Sequence, residues 1–365
     1  MARNSRKSYE IDMLNGPILP KILRFSVPLT LSTMLQLLFN AADVVVVGRY
    51  AGDNSLAAVG SNTALINLLT NLFLGLSIGA NILAARHYGA HEDEELSKTV
   101  HTSILLSICS GILLTVIGIC GARVILEWMQ CPDDVLGLAT VYLRIYFAGM
   151  TATMLYNFGA ALLRAGGDTQ RPLYFLLMAS FLNIGLDLLC IIVFKMGVFG
   201  ASFATVFSQA VAGFGSLWYI ARHYHTLRWS KEEGKLSRDH CLKLCNMGIP
   251  MGLQCSITAI GSVVLQGAVN GLGSDIVAAQ TAGGKAAQFL SVPLESIGTA
   301  MTTYASQNLG AHDLKRVNRG VNTALGIGCV YSIASFIILR FADKLLIGLF
   351  LDAGEVEIMA NAQSF

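Results

Sequence analysis

Three polar side chains occur at helical spacing inside an apolar run that begins near Ile22: Gln36, Asn40 and Asp43. Residues three or four apart lie on one face of a helix, so these side chains form a single polar stripe. Ionisable residues within membrane helices face a bundle interior or a cavity, and they mark functional sites. The sequence therefore predicts that Asp43 belongs to a functional site, with Gln36 and Asn40 lining a substrate path beside it.

A second carboxylate and amide follow the same pattern further along the chain. Asn183 and Asp187 are four residues apart, and Asp187 falls at a similar depth to Asp43 in its own segment. Thr205 lies about 10 Å into the next segment at a rise of about 1.5 Å per residue, near the same level. These four residues offer oxygen ligands for Na⁺ or an exchangeable proton. A purely structural pair of acids, satisfied by neighbouring amides or backbone, is the alternative.

A further segment is rich in aromatic and methionine side chains, among them Tyr142, Met150 and Met154, with Asn157 beside them. Two interpretations are open. These residues pack in the core, or they form an adaptable wall for organic cations, because methionine and aromatic side chains fit many shapes and attract positive charge.

The elements that position these residues are long apolar segments. A bilayer core of about 30 Å needs roughly 20 apolar residues per helix, whereas membrane β-strands need about 10 alternating residues. The sequence predicts an all-α integral membrane protein with nine spans, near 22–46, 57–83, 102–126, 137–163, 172–194, 198–221, 246–269, 276–304 and 320–340.

Lysine and arginine are distributed unequally between the two sides of these spans. Eighteen fall on the side that carries the N-terminus, here called the basic side, and five on the opposite side. Because cytoplasmic loops carry the excess of basic residues, the N-terminus is predicted to be cytoplasmic.

The hydrophilic stretch 222–240 divides the spans into six and three and is predicted to link two lobes. Gly89, Ala90 and His91 recur as Gly310, Ala311 and His312, at an offset of 221. An offset that covers an even number of spans predicts parallel six-helix repeats related by an axis along the membrane normal. The predicted units are an N-lobe (1–222), a cytoplasmic linker (223–243) and an incomplete C-lobe (244–365).

The same repeat predicts a longer parent chain. A second repeat as long as the first would run to about residue 443. The chain is therefore expected to hold nine full spans and the start of a tenth, and to be C-terminally truncated.

Composition excludes several classes of protein. The 365 residues are 54% hydrophobic and 13% charged, with a mean hydropathy of +0.58, which indicates a membrane protein. A net charge of +2 argues against a nucleic-acid partner. The eight cysteines form no CxxC pair, and the seven histidines fall mostly in hydrophilic loops, which favours surface positions over metal ligands. The first apolar run is too long for a cleaved signal peptide.

Several motifs together resemble the multidrug and toxic compound extrusion (MATE) family over the whole chain. They comprise residues 40–48 with 52 and 56–60, 164–169 with Pro172, 182–187 with 197–205, and 307–311. The resemblance implies twelve helices in two six-helix lobes and export of organic cations or other toxic compounds against inward Na⁺ or H⁺. It also implies a cation site at the positions of Asp43, Asn183, Asp187 and Thr205. Asn157 matches a further polar position lining that lobe.

One departure concerns the second lobe, where a branch of the family carries a glutamate and this chain has Thr258. The chain is therefore expected to rely on its N-lobe site. The resemblance implies a multi-pass protein of the bacterial inner membrane, monomeric, with a small organic substrate, no nucleic-acid partner and no resident cofactor.

A cation-coupled efflux antiporter is the first hypothesis that follows. A lipid-linked sugar flippase is the second, although it needs several basic residues within spans and only Arg144 and Lys285 occur there. An intramembrane enzyme is a third, and no histidine lies well inside a span to serve it. A non-transporting truncated product is the fourth.

Overall fold

The computed structural model describes residues 10–50, 53–129, 133–223, 237–270 and 274–347, and these ranges are helical with no strand. Residues 224–236, which are most of the predicted linker, and residues 348–365, which include the predicted start of the tenth span, lie outside them. The helices are α1 Ile18–Tyr50, α2 Asp53–Ala90, α3 Asp93–Trp128, α4 Asp133–Ala148, α5 Met150–Ala165, α6 Gln170–Asp187, α7 Gly197–His223, α8 Arg238–Asn270, α9 Ser274–Gly310 and α10 Leu314–Ile347. A π-helical segment, Leu188–Val193, follows α6.

Each of the nine predicted spans coincides with a helix or with two consecutive helical segments. Six helical stretches are long and apolar enough to cross a membrane, and α4 and α5 add a seventh when taken as one bent span. Helices α8 and α9 have 33 and 37 residues, which is sufficient length, but they are not among these stretches. The all-α membrane class is confirmed, and the number of crossings stays a prediction.

The predicted span 137–163 is not one straight helix. It is bent by 46° between α4 and α5, at Gly149. A β-carbon on Gly149 would lie 2.5 Å from the Val206 side chain of α7, so only glycine permits this approach. The Thr115 hydroxyl of α3 donates to the Phe147 carbonyl at 2.8 Å beside the bend, which satisfies a backbone acceptor that a bend exposes.

Apolar residues occupy both the interior and the outer surface of the bundle. Leu114, Leu143 and Phe147 are fully buried between α3 and α4. In contrast, Phe214 and Phe336 are 63% and 69% exposed on the outer surface. Large exposed apolar side chains of this kind are suited to contact with lipid.

Helix α2 joins the two predicted lobes through backbone contact with α8. Gly75 and Gly79 face Gly248 and Gly252, and a β-carbon on Gly75 would lie 2.1 Å from the Gly252 backbone nitrogen. Each helix thus contributes a glycine pair four residues apart, the spacing that lets membrane helices approach closely. These residues lie in the basic-side halves of the predicted spans.

Helix α1 contacts both lobes. Its first half buries Ile22, Phe25 and Leu29 in a cluster with Ala300 and Tyr304 of α9. Its second half packs against α6 and α7. The helix therefore connects the site-bearing part of the first lobe to the basic-side part of the second.

The repeated Gly-Ala-His motif has the same local structure at both of its positions. His91 and His312 adopt positive φ angles of 58° and 59° at the ends of α2 and α9. In both turns the histidine amide donates to the carbonyl three residues earlier, at 3.2 Å from Tyr88 and 3.1 Å from Leu309. The predicted correspondence at an offset of 221 therefore extends to backbone conformation.

Candidate functional site

Helices α1 and α6 bring the amide of Asn183 to the carboxylate of Asp43. With its nitrogen turned toward the acid, the Asn183 amide donates to Asp43 Oδ1 at 2.9 Å and to Oδ2 at 3.2 Å. Asn183 is only 7% exposed. Two members of the predicted cation site therefore contact each other in the structure, while cation binding there stays a prediction.

Asp187 lies beside the same carboxylate. The side chains of Asp43 and Asp187 lie close enough to interact directly, and Asp187 is 1% exposed. A hydrogen bond between two carboxyl groups needs a proton on one of them, because ionised carboxylates only accept. Asp187 Oδ1 is buried without a hydrogen-bond partner, which leaves an acceptor available to a proton or a cation.

The chain changes helical type immediately after Asp187. Residues Leu188–Val193 form a π-helix, and the Phe194 amide donates to the Leu189 carbonyl at 3.1 Å, five residues earlier. Such wide turns occur frequently at functional sites. Nothing in the spacing of the sequence predicted this one.

An apolar cluster lies beside Asp43 and Asp187, on the side that faces away from the basic side of the bundle. Val47, Val59, Ile191 and Ala201 are each at most 9% exposed, and Tyr142 packs against them. Tyr142 also lies close enough to both carboxyl groups to interact with them electrostatically. The covering side chains separate the acids from water on that side.

Thr205 is half-buried on α7, and its hydroxyl donates to the Ala201 carbonyl at 3.0 Å. The hydroxyl proton of Thr205 is therefore engaged in a hydrogen bond within α7. The hydroxyl lone pairs remain as the part of Thr205 that suits the predicted cation site.

The predicted substrate-lining residues have different environments. Gln36 and Asn40 are exposed on α1, and Asn157 is partly buried. Met150 and Met154 are 0% exposed and belong to the core cluster around Phe147. For these two methionines the structure favours the core interpretation over an adaptable wall, because no part of either side chain is accessible in this conformation.

The expectation that the histidines are surface residues is wrong for two of them. His101 and His240 are each 3% exposed. His240 lies beside His87 and Glu95, and these three residues present ligand atoms to one another. Sequence spacing did not reveal this cluster, because its members come from three helices.

A helical bundle that encloses a carboxylate pair within apolar spans defines an integral membrane transporter in architecture. The MatE family model matches residues 28–189 and 250–365. The chain therefore belongs to this family, the multidrug and toxic compound extrusion transporters.

Known proteins resemble the chain over most of its length. It is 28% identical to the probable multidrug resistance protein YoeA of Bacillus subtilis over 92% of this chain and 74% of that protein. It is 29% identical to the probable multidrug resistance protein YpnP of the same organism, over 84% of this chain and 68% of that protein. A solved structure described as the outward-facing conformation of a multidrug resistance MATE family transporter superposes with a TM-score of 0.90. It is 24% identical and covers 99% of this chain and 80% of that one, which establishes the fold.

Proposed function

We propose that the chain is a cation-coupled antiporter that exports organic cations, drugs or other toxic compounds by alternating access. The observation that carries this proposal is the pair of adjacent carboxyl groups, Asp43 on α1 and the buried Asp187 on α6. The protein lies in a bacterial inner membrane, with its basic side facing the cytoplasm. The transporter acts as a monomer, has no resident cofactor and leaves its substrate chemically unchanged.

The pair supplies the coupling step. When one proton is shared, Asp43 and Asp187 hold α1 and α6 together, and Asn183 supports this arrangement with two donated hydrogen bonds. Loss of the proton leaves two like charges in contact, which disfavours the same packing. Occupancy by a cation thereby biases the position of α1. We propose H⁺ as the coupling ion, because two adjacent carboxyl groups can share a single proton.

The position at which the two predicted lobes meet supports alternating access. Their close backbone contacts lie on the basic side, between α2 and both α8 and α9. Farther from that side, Gln254 and Thr258 of α8 are exposed. The conformation is therefore closed on the basic side, and transport requires these contacts to separate.

Everted vesicles from cells that express the gene test the proposal. We expect addition of an organic-cation substrate to dissipate an imposed pH gradient, and an imposed Na⁺ gradient to be less effective. Asp43→Asn and Asp187→Asn should each reduce this response at least tenfold, with the protein still present in the membrane. Asp168→Asn is the matched control, because Asp168 is 0% exposed but lies at the start of α6 and caps Gln170 and Arg171.

An undiminished response in either site variant would contradict the proposed coupling role. A larger response to the Na⁺ gradient would keep the carboxylate site and replace the proton as coupling ion. Recovery of a chemically altered substrate would contradict transport as the activity.

A further inference from the structure

Three side chains from three helices converge on the basic side of the bundle, whereas Asp43 lies in the opposite half of α1. His87 lies in the last turn of α2, Glu95 in the first turns of α3, and His240 at the start of α8. One ligand atom from each lies within 4.8 Å of the other two. The cluster thus joins the first lobe to the first helix after the predicted linker.

Each imidazole has its Nδ1 engaged outside the cluster and its Nε2 within it. His87 Nδ1 is 2.7 Å from Glu92 Oε2, and His240 Nδ1 is 2.8 Å from Ser237 Oγ. Both Nε2 atoms are buried; that of His87 makes no hydrogen bond, and that of His240 faces the Glu95 carboxylate. Metal-binding histidines almost always have this arrangement, with the outer nitrogen donating to a carboxylate or another oxygen and the inner nitrogen directed at the ion.

Glu95 is oriented in the same way. Its Oε1 accepts from the Lys98 ammonium at 3.0 Å, and its Oε2 lies 3.0 Å from His240 Nε2. The side chains of His87 and His240 are 12% and 4% exposed, while that of Glu95 is 37% exposed. The carboxylate therefore provides the solvent-accessible side through which an ion can enter.

We propose that His87, Glu95 and His240 form a binding site for Zn²⁺. Two imidazoles and a carboxylate are a donor set that zinc takes in proteins, with water as a fourth ligand. Tetrahedral ligation at about 2.1 Å requires ligand atoms roughly 3.4 Å apart. Because the three ligand atoms lie within 4.8 Å of one another, side-chain rotations that move them by about 1 Å bring them into range. Softer thiolate ligands are not part of the cluster, which disfavours Cu⁺.

A bound ion would hold α8 against α2 and α3 on the same side as the contact of Gly79 with Leu244 and Gly248. In the alternating-access cycle, and therefore resting on the proposed function, zinc would favour the conformation that is closed on the basic side. Binding itself does not depend on that cycle.

The experiment uses the 365-residue chain, purified in detergent and stripped of metal with a chelator. Zinc affinity is measured by competition with a chromophoric chelator, and Co²⁺ is added separately to report coordination by visible absorption. We expect one equivalent of Zn²⁺ per chain and the intense absorption of four-coordinate Co²⁺. His87→Gln and His240→Gln should each weaken Zn²⁺ binding by about 100-fold or more.

Two further variants separate a built site from incidental histidine binding. Glu92→Gln alters only the partner of His87 Nδ1 and should weaken Zn²⁺ binding by about 10–100-fold. His223→Gln, which removes an exposed histidine at the end of α7, should leave the affinity unchanged. Elution volume and melting temperature without metal verify that each variant is folded.

Equal Zn²⁺ binding by the wild type and by the His87→Gln/His240→Gln double variant would overturn the proposal, and the cluster would then be an ion pair only. A Co²⁺ spectrum identical to that of the free aqueous ion would also overturn it. Asp187→Asn should retain Zn²⁺ binding while losing coupled transport, so failure of either proposal is seen separately.

Discussion

At the scale of single residues, Asn183 makes the acid pair possible. It donates to both oxygens of Asp43, and it comes from the same helix as Asp187. Without these donors, the partly buried Asp43 would face Asp187 with no amide between the helices to satisfy its oxygens. An amide at this position therefore stabilises the partly ionised pair, and a change that keeps the size but removes the donors tests its role.

Replacement of Asn183 by leucine should lower the melting temperature of the purified protein. The cost of a buried acceptor left without its donors is about 1–3 kcal/mol. Asn40→Leu is the matched control, because Asn40 is exposed on α1 and should tolerate the change. Scanning fluorimetry in detergent measures both variants. Equal melting temperatures for the two would show that Asn183 does not support Asp43.

At the scale of elements, the crossing of α2 and α8 depends on the absence of side chains. A β-carbon on Gly252 would lie 2.3 Å from the Leu72 backbone oxygen. Gly261, on the same helix, has no atom within 4 Å of such a β-carbon. The two glycines differ in their surroundings and not in their helix, so they form a matched pair for substitution.

Gly252→Val should separate α2 from α8 on the basic side. Cys245 is a native reporter of this change, because it is partly buried against the cluster that holds Leu76 and Leu244. We expect its alkylation by a maleimide, mapped by mass spectrometry, to become at least several-fold faster. Gly261→Val should leave the rate unchanged. An unchanged rate in both variants would contradict the importance of this contact.

At the scale of the whole molecule, polar contacts supplement the glycine contact between the lobes. The Thr303 hydroxyl donates to Asn81 Oδ1 at 3.1 Å, and Asn81 Nδ2 donates to the Ala161 carbonyl at 2.9 Å. Gln307 Nε2 donates to the Ala165 carbonyl at 2.7 Å. These five side-chain and backbone groups belong to α9, α2 and α5, and two of the three bonds, Thr303 to Asn81 and Gln307 to Ala165, join the two predicted lobes.

A double-mutant cycle of Asn81→Ala and Thr303→Ala should give a coupling energy near 0.6 kcal/mol, the average for such bonds between membrane helices. Reversible unfolding in mixed detergent measures the four proteins of the cycle. Strictly additive single effects would mean that the bond does not join the lobes in solution.

The sequence predicted the helices better than it predicted the contacts between them, and the role of the predicted site stays a prediction. Apolar run length located every helix, and helical spacing placed Asn183 and Asp187 on one face. The bend at Gly149 was not predicted, because it depends on the proximity of Val206 in another helix. The His240 cluster escaped detection for the same reason. Properties of one segment are local in sequence, whereas close approaches require the packed bundle.

The contact between α2 and α9 has an internal symmetry of its own. A β-carbon on Gly89 would lie 1.9 Å from the Gln307 backbone oxygen, and one on Gly310 would lie 2.0 Å from the Arg86 backbone oxygen. Positions 86 and 307, like 89 and 310, differ by 221, so the two halves exchange roles across the contact. This is the self-complementary pattern of an interface between two identical subunits. The junction thus has the geometry in which two copies of a single ancestral repeat would dimerise before gene fusion.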